Sequence, residues 1–142
     1  MTTKIPLELS AHAPTASGAT LELQTTDTTV TDGSVLGKIE FKAPSEASGT
    51  DAILVGAAIE AVAEGTFAAD NNATELVFKT GASEAAAQKM VLTSSGHLGL
   101  GTASPSTDVH ISGANDDTNG QLKITGTSGG DAQIAFTTDT NG

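Results

Sequence analysis

Short stretches in which apolar and polar residues alternate run along most of the chain, separated by clusters of Gly, Asp, Asn, Ser and Pro. In one stretch, Lys38 and Glu40 alternate with Ile39 and Phe41. A period of two is typical of strands with one buried face, and the clusters are typical of turns. We therefore predict an all-β protein. The clearest strands are predicted at residues 20–24, 37–42, 75–79, 89–93, 108–112, 121–125 and 132–137.

Residues 53–64 fit two patterns. This stretch is rich in Ala, and some of its apolar residues have nearly helical spacing. Its second half also alternates, with Glu60 and Glu64 on one side and small apolar residues on the other. Because Gly56 and Gly65 weaken a helix, we favour a strand.

Turn-forming residues separate the predicted strands. They include Asp32-Gly33, Ser95-Gly96, Asn119-Gly120 and Gly129-Gly130-Asp131. Such residues adopt positive φ angles at low cost.

Residues 83–90 fit either a single helical turn capped by Ser83 or an exposed connection. A strand-turn-strand pattern at 21–41 has a degenerate counterpart at 122–136, which favours an elongated body of short repeated modules.

The composition limits the core that one chain can build. The 142 residues suffice for one domain or a row of small modules. Only four Phe are present, with no Trp or Tyr, while Gly reaches 16 residues. Small and β-branched side chains suit closely stacked strands, either within one chain or between identical chains. Since oligomerisation commonly completes a thin core, we expect the chain to associate.

Charge and cysteine content exclude several classes of protein. The net charge of −11 argues against general binding of nucleic acid or anionic membranes, which requires Lys and Arg patches. The absence of Cys excludes disulfides, thiolate zinc sites and a Cys nucleophile. The sequence shows neither a signal-peptide pattern nor a span of about 20 apolar residues. We expect synthesis in a cytoplasm and no membrane insertion.

The first 17 residues differ from the rest. A short apolar stretch, residues 4–9, is followed by small polar residues that are typical of a linker. Such a segment fits an extended arm that docks on another protein, and it equally fits a frayed terminus. We divide the chain into an arm and linker at 1–17 and a β-rich body at 18–142.

Histidine and acidic residues show no metal-binding spacing. His12, His97 and His110 are far apart in the sequence and lack the HxH or HExxH patterns of metal sites. Residues 70–72 and 116–120 place oxygen ligands in turns, but they lack the spaced acidic pattern of a calcium loop. We therefore predict no metal site.

Catalytic chemistry is also not predicted. The glycines at 96–101 precede Pro105 and not a helix, unlike a phosphate-binding loop. Glu60 and Glu64 could be imagined as a glycosidase pair, but two carboxylates on one strand face are ordinarily solvated charges. We predict no catalytic residue and no cofactor.

One continuous segment carries a specific motif. Residues 75–111 read ELVFKTGASEAAAQKMVLTSSGHLGLGTASPSTDVHI, with the successive elements LVFKT, KMVL, GHLGLGT, SPS and VHI. This segment resembles one that is common in tail fibres and related virion appendages of tailed bacteriophages. Stretches at 37–43, 57–67 and 129–136, and the opening TKIPLELS, are also similar, so that the resemblance covers roughly three quarters of the chain. No part resembles the intramolecular chaperone or host-recognition domain in which many such fibres end.

The glycines of this motif have a physical interpretation. Gly99 and Gly101 alternate with leucines, so that one side of the segment has no side chains and can press against another backbone. This favours a tight bend or a contact between chains, and the alternative is a glycine-rich loop. Pro105 then prevents ladder pairing and redirects the chain.

The resemblance implies a structural virion protein that is not an enzyme. Its body would be an intertwined homotrimeric β-structure, prism-like or β-helix-like, with the N-terminus toward the particle. The predicted trimer-interface residues are Ile39, Phe41, Val77, Phe78, Leu98, Leu100, Ile111 and Phe136. The predicted virion-attachment residues are Lys4, Ile5, Pro6, Leu7 and Leu9. The expected partners are its own copies, tail, portal or capsid proteins, and a glycan or protein of the host cell surface.

Two other functions remain as alternatives. A capsid decoration or cement protein would differ in where residues 5–9 dock, on the shell lattice or on the tail. A polysaccharide-binding module or depolymerase should have a groove with aromatic platforms for sugar rings. Four Phe without Trp or Tyr argue against that function.

Overall fold

The computed structural model describes residues 20–43, 49–113 and 122. Within them, six strands form one sheet and no α-helix is present. The elements are β1 (Val35–Lys42), a 3-10 turn (Asp51–Ile53), β2 (Val55–Ala63), β3 (Thr74–Thr80), β4 (Ala87–Leu92), β5 (Leu98–Leu100) and β6 (Val109–Ile111). The strands lie in chain order; β1 to β5 pair antiparallel, and β5 pairs with β6 in parallel. The all-β prediction is confirmed, and the sheet is mixed.

Most of the predicted strands lie on observed ones. The strands predicted at 37–42, 75–79, 89–93 and 108–112 coincide with β1, β3, β4 and β6 to within two residues. Residues 53–64 contain β2, so the strand alternative is confirmed there and the helical one is wrong. Residues 82–85 form bends before β4, and β5 was not predicted. The strand predicted at 132–137 and nearly all of that at 121–125 lie outside the described residues.

The strand predicted at 20–24 is wrong, because these residues form no strand. Leu23 packs over Gly37 of β1: a Cβ atom added at Gly37 would lie 2.8 Å from the Leu23 Cβ. Alternation therefore detected an extended segment with an apolar side. It could not show that the segment packs on the face of the sheet and does not join the ladder.

Two of the predicted glycine turns are confirmed. Gly33 has a φ of 77°, and the Ser34 N–H donates to the Thr31 carbonyl oxygen at 3.0 Å. Gly96 has a φ of 84°, and its N–H donates to the Thr93 carbonyl oxygen at 3.0 Å. Positive φ angles of this kind favour glycine. The turns predicted at 119–120 and 129–131 lie outside the described residues.

A tight crossover joins the parallel strands β5 and β6. Residues 101–108 make this connection, whereas parallel neighbours usually need a dozen or more residues. A Cβ atom on Gly99 would lie 2.6 Å from the Thr102 carbonyl oxygen, and one on Gly101 would overlap the Ser112 carbonyl oxygen. The close backbone approach predicted for these glycines is confirmed as a bend within the chain. Pro105 lies in the crossover, outside the strands.

The chain buries its best-packed apolar side chains mainly on one face of the sheet. Val77 and Val91 face each other across β3 and β4, and they are 2% and 0% exposed. Gly99 pairs with Val91 on the next strand, and the crossover passes close above it. The core of the single chain therefore lies under the crossover. The opposite face of the sheet contributes little to this core.

Candidate interaction surface

The sheet face opposite Val77 and Val91 is lined by apolar side chains. Directly paired residues of neighbouring strands share a face, so the register defines rows across the sheet. The central row has one residue from each strand: Ile39, Ile59, Phe78, Met90, Leu100 and Ile111. The adjacent row contains Gly37, Ala61, Leu76, Leu92, Leu98 and Val109. These two rows together with Phe41 are called the apolar face below.

Much of the apolar face is open to water. Val109 is 57% exposed, Phe41 55%, Leu92 43% and Ile39 41%. Six strands about 4.8 Å apart and two rows about 7 Å apart give a surface on the order of 400 Å². The largest apolar patch on a typical monomer is roughly 300–600 Å² and is often functional. The apolar face is therefore a candidate interaction surface.

Part of the apolar face is covered by the chain itself. In the row adjacent to the central one, Gly37 and Ala61 leave a gap beside Leu76. Leu23, which is 46% exposed, lies against Gly37, with its carbonyl oxygen 3.1 Å from the position of a Cβ atom there. Glycine at position 37 thus makes room for the backbone and Cβ of a residue outside the sheet.

The other face of the sheet, which carries the buried Val77 and Val91, also holds charged side chains and is called the polar face. Lys38 Nζ lies 2.6 Å from Glu40 Oε1 in an exposed pair on β1. Lys79 Nζ lies 2.5 Å from Glu60 Oε2, and Glu60 is only 9% exposed. A cavity of about 210 Å³ adjoins this pair; it is lined by Gly33, Val35, Glu60, Val62, Glu75, Val77, Lys79 and Gln88. Within the described residues, the buried Gln88 Nε2 has no hydrogen-bond partner.

One carboxyl of this cavity is disfavoured in its ionised form. Burial raises the pKa of Glu75, and the neighbouring carboxylates of Glu64 and Asp32 raise it further. The contribution of Glu75 to stability is therefore fully present below its pKa in the unfolded chain, and it is lost as the pH rises through the higher folded-state pKa.

Six of the eight predicted interface residues lie on the apolar face, although the sequence could not show that they share one face. They are Ile39, Phe41, Phe78, Leu98, Leu100 and Ile111. Val77 is buried on the opposite face, where it pairs with Val91. Phe136 lies outside the described residues, as do the predicted attachment residues Lys4, Ile5, Pro6, Leu7 and Leu9.

Other residues of the apolar face were not predicted. They are Ile59, Leu76, Met90, Leu92 and Val109. Alternation along each strand assigns these residues to one side of that strand, and this was the signal in the sequence that could have identified them. Joining the sides of different strands into one face requires the register, which the sequence did not give.

The described histidines and Glu64, which were tested above as metal-binding or catalytic groups, make local contacts. His97 Nε2 lies 3.9 Å from Asp108 Oδ1, and His110 Nδ1 accepts a hydrogen bond from the Ser106 N–H at 3.3 Å. Glu64 Oε2 accepts one from the Ser94 N–H at 3.0 Å. In the part of the chain that the structure describes, no group of three or more His, Cys, Asp and Glu could hold a metal ion, and no helix is long and apolar enough to cross a membrane.

Comparison with known proteins adds no assignment. No protein-family model matches the chain. No curated protein matches it either. Functional inference therefore rests on the sequence motif and on the geometry of the two faces.

Proposed function

We propose that the chain is a structural subunit of a tailed-bacteriophage virion, a fibre or appendage protein that works as a homotrimer and takes part in host adsorption. The observation that carries the proposal is the open apolar face, on which Ile39, Phe41 and Val109 are exposed. An apolar patch of this size is often functional, even on a monomer. A subunit of an assembly uses such a face to meet its neighbours.

The motif that resembles a segment of phage fibres also supports a structural role. Residues 96–111 contain β5, the crossover and β6. Gly99 and Gly101 are placed where a Cβ atom would meet backbone oxygens, so the glycines serve the path of the chain. The path of the chain therefore explains the distinctive glycines of the motif, which fits a structural role.

The two faces suggest how the proposed trimer is arranged. Three apolar faces would turn toward a common axis, and the polar face with Lys38 and Glu40 would turn toward water. The net charge of −11 per chain would then lie outside, where it keeps separate particles apart. In this arrangement residues 4–9 attach the subunit to tail, portal or capsid proteins. The body extends outward toward a glycan or protein on the host surface.

Antibody labelling of intact phage particles tests this function. With antibodies raised against the purified protein, we expect electron microscopy to show label along tail fibres or appendages. Label spread over the shell would indicate the capsid decoration function and would overturn the fibre assignment. Absence of the protein from purified particles would contradict a virion function altogether.

A further inference from the structure

We propose that the cavity beside the Glu60–Lys79 pair binds an uncharged ring that carries several hydroxyl groups, that is, one neutral pyranose unit. This inference goes beyond the proposed function, because the described walls of the cavity come from one chain and their chemistry does not depend on association. In the proposed trimer the polar face is turned toward water, so the cavity would stay accessible there as well.

The buried amide of Gln88 is the first feature that points to a ligand. Gln88 pairs with Lys79 across β3 and β4, and it lines the cavity. Its Nε2 is buried and has no hydrogen-bond partner within the described residues. Because a buried donor without an acceptor is unfavourable, the cavity favours a ligand that presents an acceptor oxygen.

The ion pair beside Gln88 offers both kinds of hydrogen-bonding group. Lys79 Nζ lies 2.5 Å from Glu60 Oε2, and Glu60 is only 9% exposed. Their contact uses one of the three N–H donors of the ammonium group and one of the two carboxylate oxygens. A buried ion pair is favourable chiefly when further hydrogen bonds satisfy its remaining donors and lone pairs. Hydroxyl groups suit this environment, because each of them can both donate and accept.

The charges around the cavity favour an uncharged ligand. Glu60 and Glu75 outnumber Lys79 among the residues that line it, and the chain has a net charge of −11. Burial raises the pKa of Glu75, and neighbouring carboxylates raise it further, so the same surroundings oppose another negative charge. An ammonium group or a metal ion provides no acceptor for Gln88 Nε2. A neutral hydroxylated ligand meets both conditions.

The size and the walls of the cavity fit one ring. Its volume is about 210 Å³. In another protein, an apolar cavity of roughly 150 Å³ holds one benzene ring, so a six-membered ring with hydroxyl groups has room here. Val35, Val62 and Val77 line the cavity and can contact the C–H groups of such a ring. Since none of the described lining residues is aromatic, binding rests on hydrogen bonds and not on the platforms expected of a polysaccharide-binding module.

Protein-observed NMR titration of the full chain tests this inference, because the side-chain amide of Gln88 gives signals of its own. The probes are D-glucose, D-galactose and D-mannose, with D-glucuronate as an anionic counterpart. We expect at least one neutral hexose to shift the Gln88 amide signals saturably, with a Kd on the order of 1 mM. Glucuronate should bind roughly tenfold more weakly. Methyl glycosides of the same hexoses, which represent the terminal unit of a glycan, show whether the cavity takes free sugar or a glycan end.

Gln88→Met separates ligand binding from packing. Met keeps the length of the side chain and removes the amide. Gln24→Met makes the same change at an exposed residue outside the cavity. We expect Gln88→Met to keep or raise the denaturant midpoint, because an unpartnered buried amide is removed, and to weaken hexose binding roughly tenfold. Gln24→Met should change neither quantity.

Failure of all three hexoses to bind would show that the cavity holds water only and would overturn the inference. Equal affinity of Gln88→Met and the unaltered chain would place the sugar elsewhere, and equally tight binding of glucuronate would contradict an uncharged ring. If Gln88→Met did not fold, the Gln88 amide signals of the unaltered chain would still decide. Light scattering on the same samples gives their mass, so that failure of the homotrimer is seen separately.

Discussion

Replacing Gly101 by Ala is expected to destabilise the fold by roughly 3 kcal/mol or more. Gly101 has a φ of 75°, where a Cβ atom costs about 1–2 kcal/mol in an L-residue. The added Cβ would also overlap the carbonyl oxygen of Ser112, which is backbone and cannot rotate away. Relief requires opening the β5–β6 crossover, and denaturant unfolding at constant protein concentration measures the loss.

Gly96→Ala is the matched control. Gly96 has a φ of 84°, and a Cβ atom there would meet nothing within 4 Å. The conformational cost alone should appear, about 1 kcal/mol. Equal losses for the two variants would show that the contact with Ser112 does not determine the need for glycine at position 101.

Replacing Lys79 by Met is expected to cost about 2–3 kcal/mol at neutral pH, because it removes the partner of a buried carboxylate. Glu60 is 9% exposed and its Oε2 lies 2.5 Å from Lys79 Nζ. Met keeps most of the apolar stem, so that the loss reports mainly on the charge. Since Lys79 is itself 28% exposed at its side chain, we place the cost below the largest values for fully buried pairs. Denaturant unfolding again measures the difference.

The exposed pair on the neighbouring strand provides the control. Glu40→Gln removes the charge partner of Lys38, whose side chain is 52% exposed, and we expect no measurable change in stability. The double variant Glu60→Leu with Lys79→Met should recover most of the loss, because no unpaired charge remains. If Glu40→Gln were as damaging as Lys79→Met, burial of Glu60 would not be the cause.

Local alternation was sufficient for the long strands of the sheet. In β1 charged residues alternate with apolar ones, as with Lys38 beside Ile39, and the strand extends over eight residues. The same signal was too short for β5, which has three residues and a glycine at its centre. At Leu23 the signal was present but misleading, because an extended segment can pack on a sheet without pairing in it.

The candidate surface needed information that lies between strands. Val77 and Phe78 are adjacent apolar residues and cannot share a face, yet both were predicted for one interface. The register decides between them: Val77 pairs with the buried Val91, and Phe78 pairs with Met90 on the apolar face. The sequence predicted that the chain exposes apolar contact residues. The pairing of strands showed which of them form one surface.

The mass of the purified protein in solution tests association into a homotrimer through the apolar face most directly. We would measure it by light scattering for the full chain and for the chain without residues 1–17. We predict three times the 14.1 kDa mass of one full chain for the first, and three times the shortened chain's mass for the second, because the apolar face lies in the β body and not in the arm. A single-chain mass for both proteins would contradict association through this face and the fibre function that depends on it.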